Sequence, residues 1–273
     1  MTTPMSPASA RRAVHASGGG GAEIPSFLQG FHRLTVPVRY LLGSPLVNLE
    51  ILATKGGRAE AHAVVMRRAQ LALRRCGVRV EVSGPTPAPG TGCVAVYNEA
   101  SFADVAAFSA VMWRYVDRCG AAEAYGRVPF TKAACDRAGI VLVPRGNRAA
   151  TERILTDMVD AARAGERVAW GGPGRLTGRD EVPRFKVGAA LIALRAGVPL
   201  IPVAIRGGQS VLPLGSLRAR PGCIRIRFGT PMSTAGLSND DGRNLADRAR
   251  DAVTALLAEL PSGADPGRGN PQG

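Results

Sequence analysis

The sequence contains few aromatic residues and few histidines, and its cysteines form no recognisable metal or redox pattern. Aromatic residues make up 5% of the 273 positions. The three histidines are dispersed, and as lone histidines they are interpreted as structural or solvated residues: His15, His32 and His62. The cysteines are widely separated and include no Cys-x-x-Cys pair: Cys76, Cys93, Cys119, Cys135 and Cys223. We therefore expect no metal site and a reduced, cytoplasmic setting.

Long hydrophobic runs and targeting signals are missing as well. Residues 1–25 hold two arginines without a following apolar stretch, so we expect a disordered tail there and another over residues 261–273. The most apolar early segment, residues 36–53, is interrupted by polar residues and a proline, whereas a membrane span needs about 20 apolar residues. Two interpretations stay open: this segment lies on a bilayer surface, or it packs onto the folded domain.

The charge of the chain points towards anionic partners. The formal net charge is +14, and nearly all the cations are arginines, which bind phosphate and carboxylate groups well. Nucleic acid, an anionic membrane surface and phosphorylated small molecules all fit this charge, and a GC-rich genome would also raise the arginine content. Because the arginines are dispersed and aromatic residues are scarce, we predict no nucleic-acid partner.

Hydrophobic periodicity predicts an alternation of strands and helices. An amphipathic helix over 57–76 is followed by an edge strand over 78–82. Further strands are predicted at 93–97, 140–143, 167–170, 199–205 and 223–228, and further helices at 102–117, 131–137, 149–164, 187–196 and 243–259. This order predicts an α/β fold in which helices flank a largely parallel or mixed sheet. We divide the chain into an N-terminal helical segment, 26–80, and one α/β domain, 81–260.

In such folds, ligands bind beyond the carboxyl ends of the strands. The loops after Tyr97, Val143, Trp170 and Ile205 are therefore the candidate site, and three of them are polar or rich in arginine. Cys93 and Cys135 lie inside predicted elements, so neither is expected to be an activated thiol.

Four segments of the chain, in order and spacing, resemble the blocks of the lysophosphatidate/glycerol-3-phosphate acyltransferase family over residues 60–235. The segments are Asn98-Glu99-Ala100-Ser101-Phe102-Ala103-Asp104, the strand that ends in Val143-Pro144-Arg145, Trp170-Gly171-Gly172-Pro173-Gly174-Arg175 with Phe185-Lys186-Val187-Gly188-Ala189, and Val198-Pro199-Leu200-Ile201-Pro202-Val203. Two positions depart from the family. Glu99 replaces its histidine, and Gly172 replaces the glutamate of its third block.

The resemblance implies a glycerol-3-phosphate acyltransferase-like fold and the transfer of an acyl group from a thioester to a hydroxyl. In the family, the histidine takes the hydroxyl proton and the aspartate orients the histidine. Here Glu99 and Asp104 are the candidate catalytic pair. A carboxylate is a weaker base than imidazole, but burial and a second carboxylate would raise its pKa. An amine acceptor would also demand less of its base. The pair converges only if Glu99 lies in the loop before the helix.

The resemblance also implies substrate contacts for further residues of these blocks. They are Asn98, Ser101, Arg145, Arg175 and Lys186, and the arginines would hold an anionic acceptor group. Simpler interpretations stay open. Asp104 forms a capping box with Ser101, Glu99 is a solvated loop residue, each arginine is an ordinary surface residue, and the glycines of 171–174 form either an anion-binding nest or only a turn.

The resulting hypothesis is a divergent acyltransferase with no bound cofactor. Acyl-CoA or an acyl carrier protein would be the co-substrate and thioester donor, and a lysophospholipid or a specialised metabolite would be the anionic acceptor. The protein would be cytoplasmic, with possible peripheral contact on the inner face of the membrane. The alternative is a catalytically inactive protein of the same fold that binds acyl chains or lipids.

Overall fold

The computed structural model describes residues 36–179 and 181–261, and both predicted tails lie outside this range. Its centre is a seven-stranded sheet, which confirms the predicted α/β class. The strands are β1 (Val78–Ser83), β2 (Cys93–Tyr97), β3 (Arg118–Ala122), β4 (Ile140–Val143), β5 (Arg167–Gly171), β6 (Leu200–Arg206) and β7 (Gly222–Phe228). The helices are α1 (Val36–Leu52), α2 (Gly57–Arg75), α3 (Phe102–Val111), α4 (Thr131–Ala138), α5 (Arg148–Arg163), α6 (Gly188–Ala196), α7 (Gly208–Val211) and α8 (Gly242–Glu259).

The strand order is β1-β7-β6-β2-β5-β3-β4. Strands β6, β2, β5, β3 and β4 are parallel, β7 is antiparallel to β6, and β1 is parallel to β7. The carboxyl ends of the five parallel strands therefore meet at one edge of the sheet, where the candidate loops were predicted. Strand β2 lies at the centre, and all five of its residues are buried.

Two hydrophobic layers enclose the sheet. Helices α2 and α3 cover one face, and α5, α6 and α8 cover the other. A smaller cluster joins α1 to α2 and α4. Helix α5 begins at Arg148 because the Asn147 side chain caps it, accepting a hydrogen bond of 3.0 Å from the Ala150 backbone N–H.

Three local predictions differ from the structure. The helix predicted over 102–117 ends at Val111, continues as a 3₁₀ turn over Met112–Arg114 and is followed by strand β3, which was not predicted. The predicted boundary at residue 80 falls inside β1, which pairs with β7 along its whole length. The N-terminal segment is thus continuous with the sheet of the α/β domain.

Candidate active site

Glu99 lies in the loop between β2 and α3. Helix α3 begins at Phe102, with Ser101 as its N-cap, so Glu99 precedes the helix by three residues. The condition for Glu99 and Asp104 to converge is therefore met. Glu99 is partly buried, while the Asp104 side chain is fully buried beneath the loop.

Asp104 and Ser101 form a complete capping box. Asp104 Oδ2 accepts hydrogen bonds from the backbone N–H groups of Ala100, at 2.7 Å, and Ser101, at 3.0 Å. Ser101 Oγ accepts one from the Ala103 N–H at 3.0 Å. These bonds satisfy helix donors that would otherwise have no partner. The capping interpretation of Asp104 is confirmed, and the cap also holds the carboxylate in one orientation.

Asn98 joins the loop that follows β2 to the last part of strand β6. Its amide donates to the carbonyl of Ile205 at 2.9 Å and accepts from the N–H of Ile205 at 2.8 Å. Asn98 is 2% exposed and Ser101 is 0% exposed. Neither side chain is exposed, and the substrate contact of both stays a prediction. Both residues position the backbone of the site.

Burial, together with the charge of Asp104, raises the pKa of Glu99 to about 7. The other titratable groups that interact with Glu99 are Tyr97 and Cys119. Burial raises the pKa of both, so they stay neutral near pH 7. Glu99 is therefore poised to gain and lose a proton near neutral pH, where an unperturbed carboxylate would be too weak a base.

The turn over residues 171–178 folds across the Glu99 loop. The N–H groups of Thr177 and Gly178 donate to the carbonyls of Glu99, at 3.1 Å, and Ala100, at 2.9 Å. Glu99 Oε2 lies against Gly171, 3.4 Å from the position that a β-carbon would take there. The Glu99 carboxylate is thus enclosed by the ends of β2 and β5.

Three predicted cations surround Gly174 in this turn. Arg145 donates from Nη2 to the Gly174 carbonyl at 3.3 Å. Lys186 Nζ lies 3.3 Å from the position that a β-carbon would take at Gly174, and Arg175 follows Gly174 directly. All three side chains are exposed. We call Arg145, Arg175 and Lys186 the cationic cluster; it lies at the same turn that covers Glu99.

Gly172 stands where the family has a glutamate, and its surroundings leave no space for one. A β-carbon at Gly172 would lie 2.6 Å from ring carbons of the buried Phe185. The Gly172 N–H already donates to the Tyr97 carbonyl at 2.8 Å, and Pro173 has no N–H. Gly172 therefore lies in a tightly packed turn, and an anion-binding nest over residues 171–174 stays a prediction.

Sequence reasoning missed a set of exposed apolar residues at the start of α3 and in the loop after α7. Phe102, Leu214 and Leu217 are large and exposed, and Leu214 lies 3.4 Å from the β-carbon position of Gly178. We call these three residues the apolar flank. The signal was available in the sequence, since two leucines stand in a loop rich in glycine and proline.

The remaining candidate groups lie away from this site. His62 is buried, stacks on Trp113 with ring centroids 4.2 Å apart, and contacts the Ala138 carbonyl through Nε2 at 2.8 Å, as expected for a structural histidine. His15 and His32 lie outside the described residues. Burial raises the pKa of Cys93 and of Cys135 to about 11, which agrees with inactive thiols. Within residues 36–179 and 181–261, we find no group of three or more His, Cys, Asp or Glu side chains suited to a metal ion.

Comparisons with known proteins agree with these features. The acyltransferase family model matches residues 79–206. The 1-acyl-sn-glycerol-3-phosphate acyltransferase alpha of Mus musculus is 26% identical over 234 residues, covering 81% of this chain and 78% of that protein. The 1-acyl-sn-glycerol-3-phosphate acyltransferase of Escherichia coli K12 is 26% identical over 187 residues, covering 67% and 75%.

The same fold is found in a solved structure, the 1-acyl-sn-glycerophosphate acyltransferase of Thermotoga maritima. The TM-score is 0.64 at 20% identity, and the match covers 86% of this chain and 95% of that one. The family model over residues 79–206 and the curated relatives support the resemblance of the four sequence blocks to the lysophosphatidate/glycerol-3-phosphate acyltransferase family.

Proposed function

We propose that this protein moves an acyl group from a thioester to a hydroxyl or amine of an anionic acceptor, with Glu99 and Asp104 as its acid/base pair. The observation that carries this proposal is the Glu99 carboxylate, whose pKa is raised to about 7 at the carboxyl edge of the sheet, where the turn over residues 171–178 also contacts Arg145. A family member that has lost its histidine needs another base of similar proton affinity, and Glu99 meets that need.

In the proposed reaction Glu99 first accepts a proton and later returns it. The ionised Glu99 takes the proton of the acceptor hydroxyl or amine as that atom attacks the thioester carbonyl. The tetrahedral intermediate then collapses, the carbon–sulfur bond breaks, and the protonated Glu99 returns its proton to the thiolate that leaves. Asp104 stays ionised in its cap and keeps the proton affinity of Glu99 high.

The two sides of the turn suggest how the substrates are oriented. The cationic cluster suits a phosphate or carboxylate, since charged hydrogen bonds are short and strong. The apolar flank suits an acyl chain. The curated relatives are named 1-acyl-sn-glycerol-3-phosphate acyltransferases, so a lysophospholipid with a phosphate group is the first acceptor to test. Acyl-CoA and acyl carrier protein are the two candidate donors.

One face of α1 supports a peripheral position on a membrane. Val38, Leu42, Leu46 and Leu49 recur at helical spacing and are each at least 44% exposed. Asn48, between them, donates to the Pro129 carbonyl and to Thr131 Oγ1, and so holds α1 against the start of α4. Among the described residues no helix is both long and apolar enough to span a bilayer. We propose that this face lies in the headgroup region of the inner leaflet.

Thiol release from a panel of acyl thioesters, with 1-acylglycerol 3-phosphate as acceptor, tests the reaction. Glu99→Gln is expected to lower turnover by about 10²–10⁴-fold, the usual contribution of a placed base. Asp157→Asn is the matched control, because Asp157 is an exposed carboxylate in the middle of α5. Unchanged turnover in Glu99→Gln would remove the proposed base. Tight acyl-chain binding without any thiol release by the wild type would favour the inactive binding protein instead.

A further inference from the structure

The chain that leaves β6 passes directly beneath the Asp104 carboxylate. Gly207 has φ +105°, which turns the backbone, and Gly208 begins α7. A β-carbon at Gly208 would lie 1.9 Å from Asp104 Oδ1, 2.4 Å from Cγ and 2.8 Å from Oδ2. Any side chain at position 208 would require Asp104 or the loop to move.

Two contacts therefore hold the end of β6 and the start of α7 against the loop after β2 and the first turn of α3. The first is the double hydrogen bond between Asn98 and Ile205. The second is the contact of Gly208, three residues further on, with Asp104. On its other side, Asp104 Oδ2 is held by the backbone N–H groups of Ala100 and Ser101. The carboxylate is thus confined between its own helix cap and the backbone of Gly208.

We propose that Gly208 is a positioning residue that fixes the Asp104 carboxylate beside Glu99, an inference that rests on the proposed acid/base role of the pair. The backbone of Gly208 covers the carboxylate, excludes water from that side and prevents a change of rotamer. The negative charge then acts on Glu99 at a constant distance in a poorly hydrated site. Asp104 is the charged group that faces Glu99, and Tyr97 and Cys119 are the neutral ones.

Enlarging Gly208 is expected to move Asp104 and thereby to lower turnover. In Gly208→Ala, kcat/KM should fall about 100-fold, the order of loss that follows from a catalytic group displaced by about 1 Å. The loss should appear in kcat, because the cationic cluster and apolar flank are unchanged. The pH midpoint of kcat should also fall from about 7 towards the ordinary glutamate value as the Asp104 charge moves away.

A double-mutant cycle with Asp104→Ala separates positioning from general damage to the loop. If Gly208 acts through Asp104, Gly208→Ala should cost less than about threefold once the carboxylate is gone. An equal loss in both backgrounds would overturn the proposal. Gly43→Ala is the matched control, since no atom lies within 4 Å of its β-carbon position.

A titration independent of activity distinguishes failure of this inference from failure of the proposed function. Absence of turnover in the wild type would reject the function, but the Glu99 carboxyl can still be titrated by NMR with carbon-13-labelled glutamate, assigned through Glu99→Gln. A lower pKa in Gly208→Ala supports positioning, and an unchanged pKa overturns it. If Gly208→Ala does not fold because its methyl group clashes with Asp104, the double variant Gly208→Ala/Asp104→Ala should fold. If neither variant folds, this clash is not the cause and the proposal is overturned.

Discussion

The two ends of the parallel strands carry charge in opposite arrangements. At the amino ends, Asp117 faces Arg167, and Glu166 faces Arg118 and Arg58. Burial acts to raise the pKa of Asp117 and of Glu166, but the hydrogen bonds and charges of their arginines outweigh it, so both values are lowered. At the carboxyl ends, Glu99 is near a second carboxylate, and its pKa is raised to about 7.

This difference separates charge that stabilises the fold from charge that costs stability. Arg167 is 5% exposed, yet its guanidinium donates to both Asp117 oxygens and to the Arg114 carbonyl. Glu99 and Asp104 repel each other when both are ionised. Strongly perturbed carboxyl groups cluster at functional sites, which supports the proposed site at this edge.

The largest loss of stability is expected from a substitution that breaks the Asp117–Arg167 ion pair at the amino ends of the strands. Asp117→Ala leaves the buried Arg167 without its carboxylate, and we expect the free energy of unfolding to fall by about 3 kcal/mol. Turnover per folded molecule should not change, because this pair lies at the opposite end of the strands from Glu99. Urea unfolding monitored by circular dichroism measures the loss.

Asp160→Ala is the control for that experiment. It removes an exposed ion pair with Arg163, for which a loss below about 0.5 kcal/mol is expected. Equal losses in the two variants would show that burial of the Asp117–Arg167 pair contributes nothing.

The second-largest expected effect is a gain in stability, and it comes from a substitution at the carboxyl ends of the strands. Because the folded-state pKa of Glu99 is above its unfolded value, the folded protein binds more protons between about pH 4.5 and 7, and stability falls as pH rises through this window. Glu99→Gln removes the charge. We expect the inactive variant to be more stable than the wild type by about 1–3 kcal/mol at pH 8, and by little at pH 4.5.

Urea midpoints at the two pH values measure this difference, with Asp157→Asn as the control. A variant that is no more stable than the wild type at pH 8 would mean that burial and the Asp104 charge do not raise the pKa of Glu99 in the fold.

Much of the sheet could be predicted from the sequence, because its strands are short apolar runs bounded by turn residues. Strands 93–97 and 140–143 were predicted to the residue. Strand β3 was missed because its sequence, RCGAA, has small side chains and follows a helix without an intervening turn signal. Its Gly120 instead lets the Trp170 ring pack within 2.9 Å of the β-carbon position, a contact that only the fold reveals.

The sequence predicted the candidate reactive side chains of the site, but not the contacts that hold their backbone in place. The family blocks located Glu99, Asp104 and the cationic cluster, and Glu99, Arg145 and Arg175 stand two to four residues after a strand end. The contacts of Asn98 with Ile205 and of Gly208 with Asp104 join residues more than 100 positions apart. Local patterns do not encode such pairings, so neither contact was predicted.

The third effect tests whether the cations of the carboxyl edge serve a ligand and not the fold. Arg145→Met and Lys186→Met are each expected to raise KM for a phosphate-bearing acceptor about tenfold, because each removes one exposed charged contact. Their urea midpoints should match the wild type. Steady-state assays with 1-acylglycerol 3-phosphate and with uncharged monoacylglycerol separate the charge effect.

Arg248→Met, an exposed arginine on α8, is the control for these variants. Equal changes for the charged and the uncharged acceptor would contradict a role of the cationic cluster in binding the anion.

The smallest effect concerns His62, the titratable ring near the amino-end charges. Burial lowers its pKa, and its hydrogen bond to Ala138 offsets this only in part. Below pH 6.5 the unfolded chain therefore binds the proton first, and stability is lost as pH falls through the folded-state pKa.

His62→Gln keeps a neutral donor for the Ala138 carbonyl, so the acid-induced loss of stability between pH 7 and 5 should shrink by up to about 1 kcal/mol. Urea midpoints across that range measure it. The Glu99 contribution has the opposite slope, so in the double variant His62→Gln/Glu99→Gln the changes that the two single variants make to the pH dependence should add. A departure from additivity would mean that the two edges do not titrate independently.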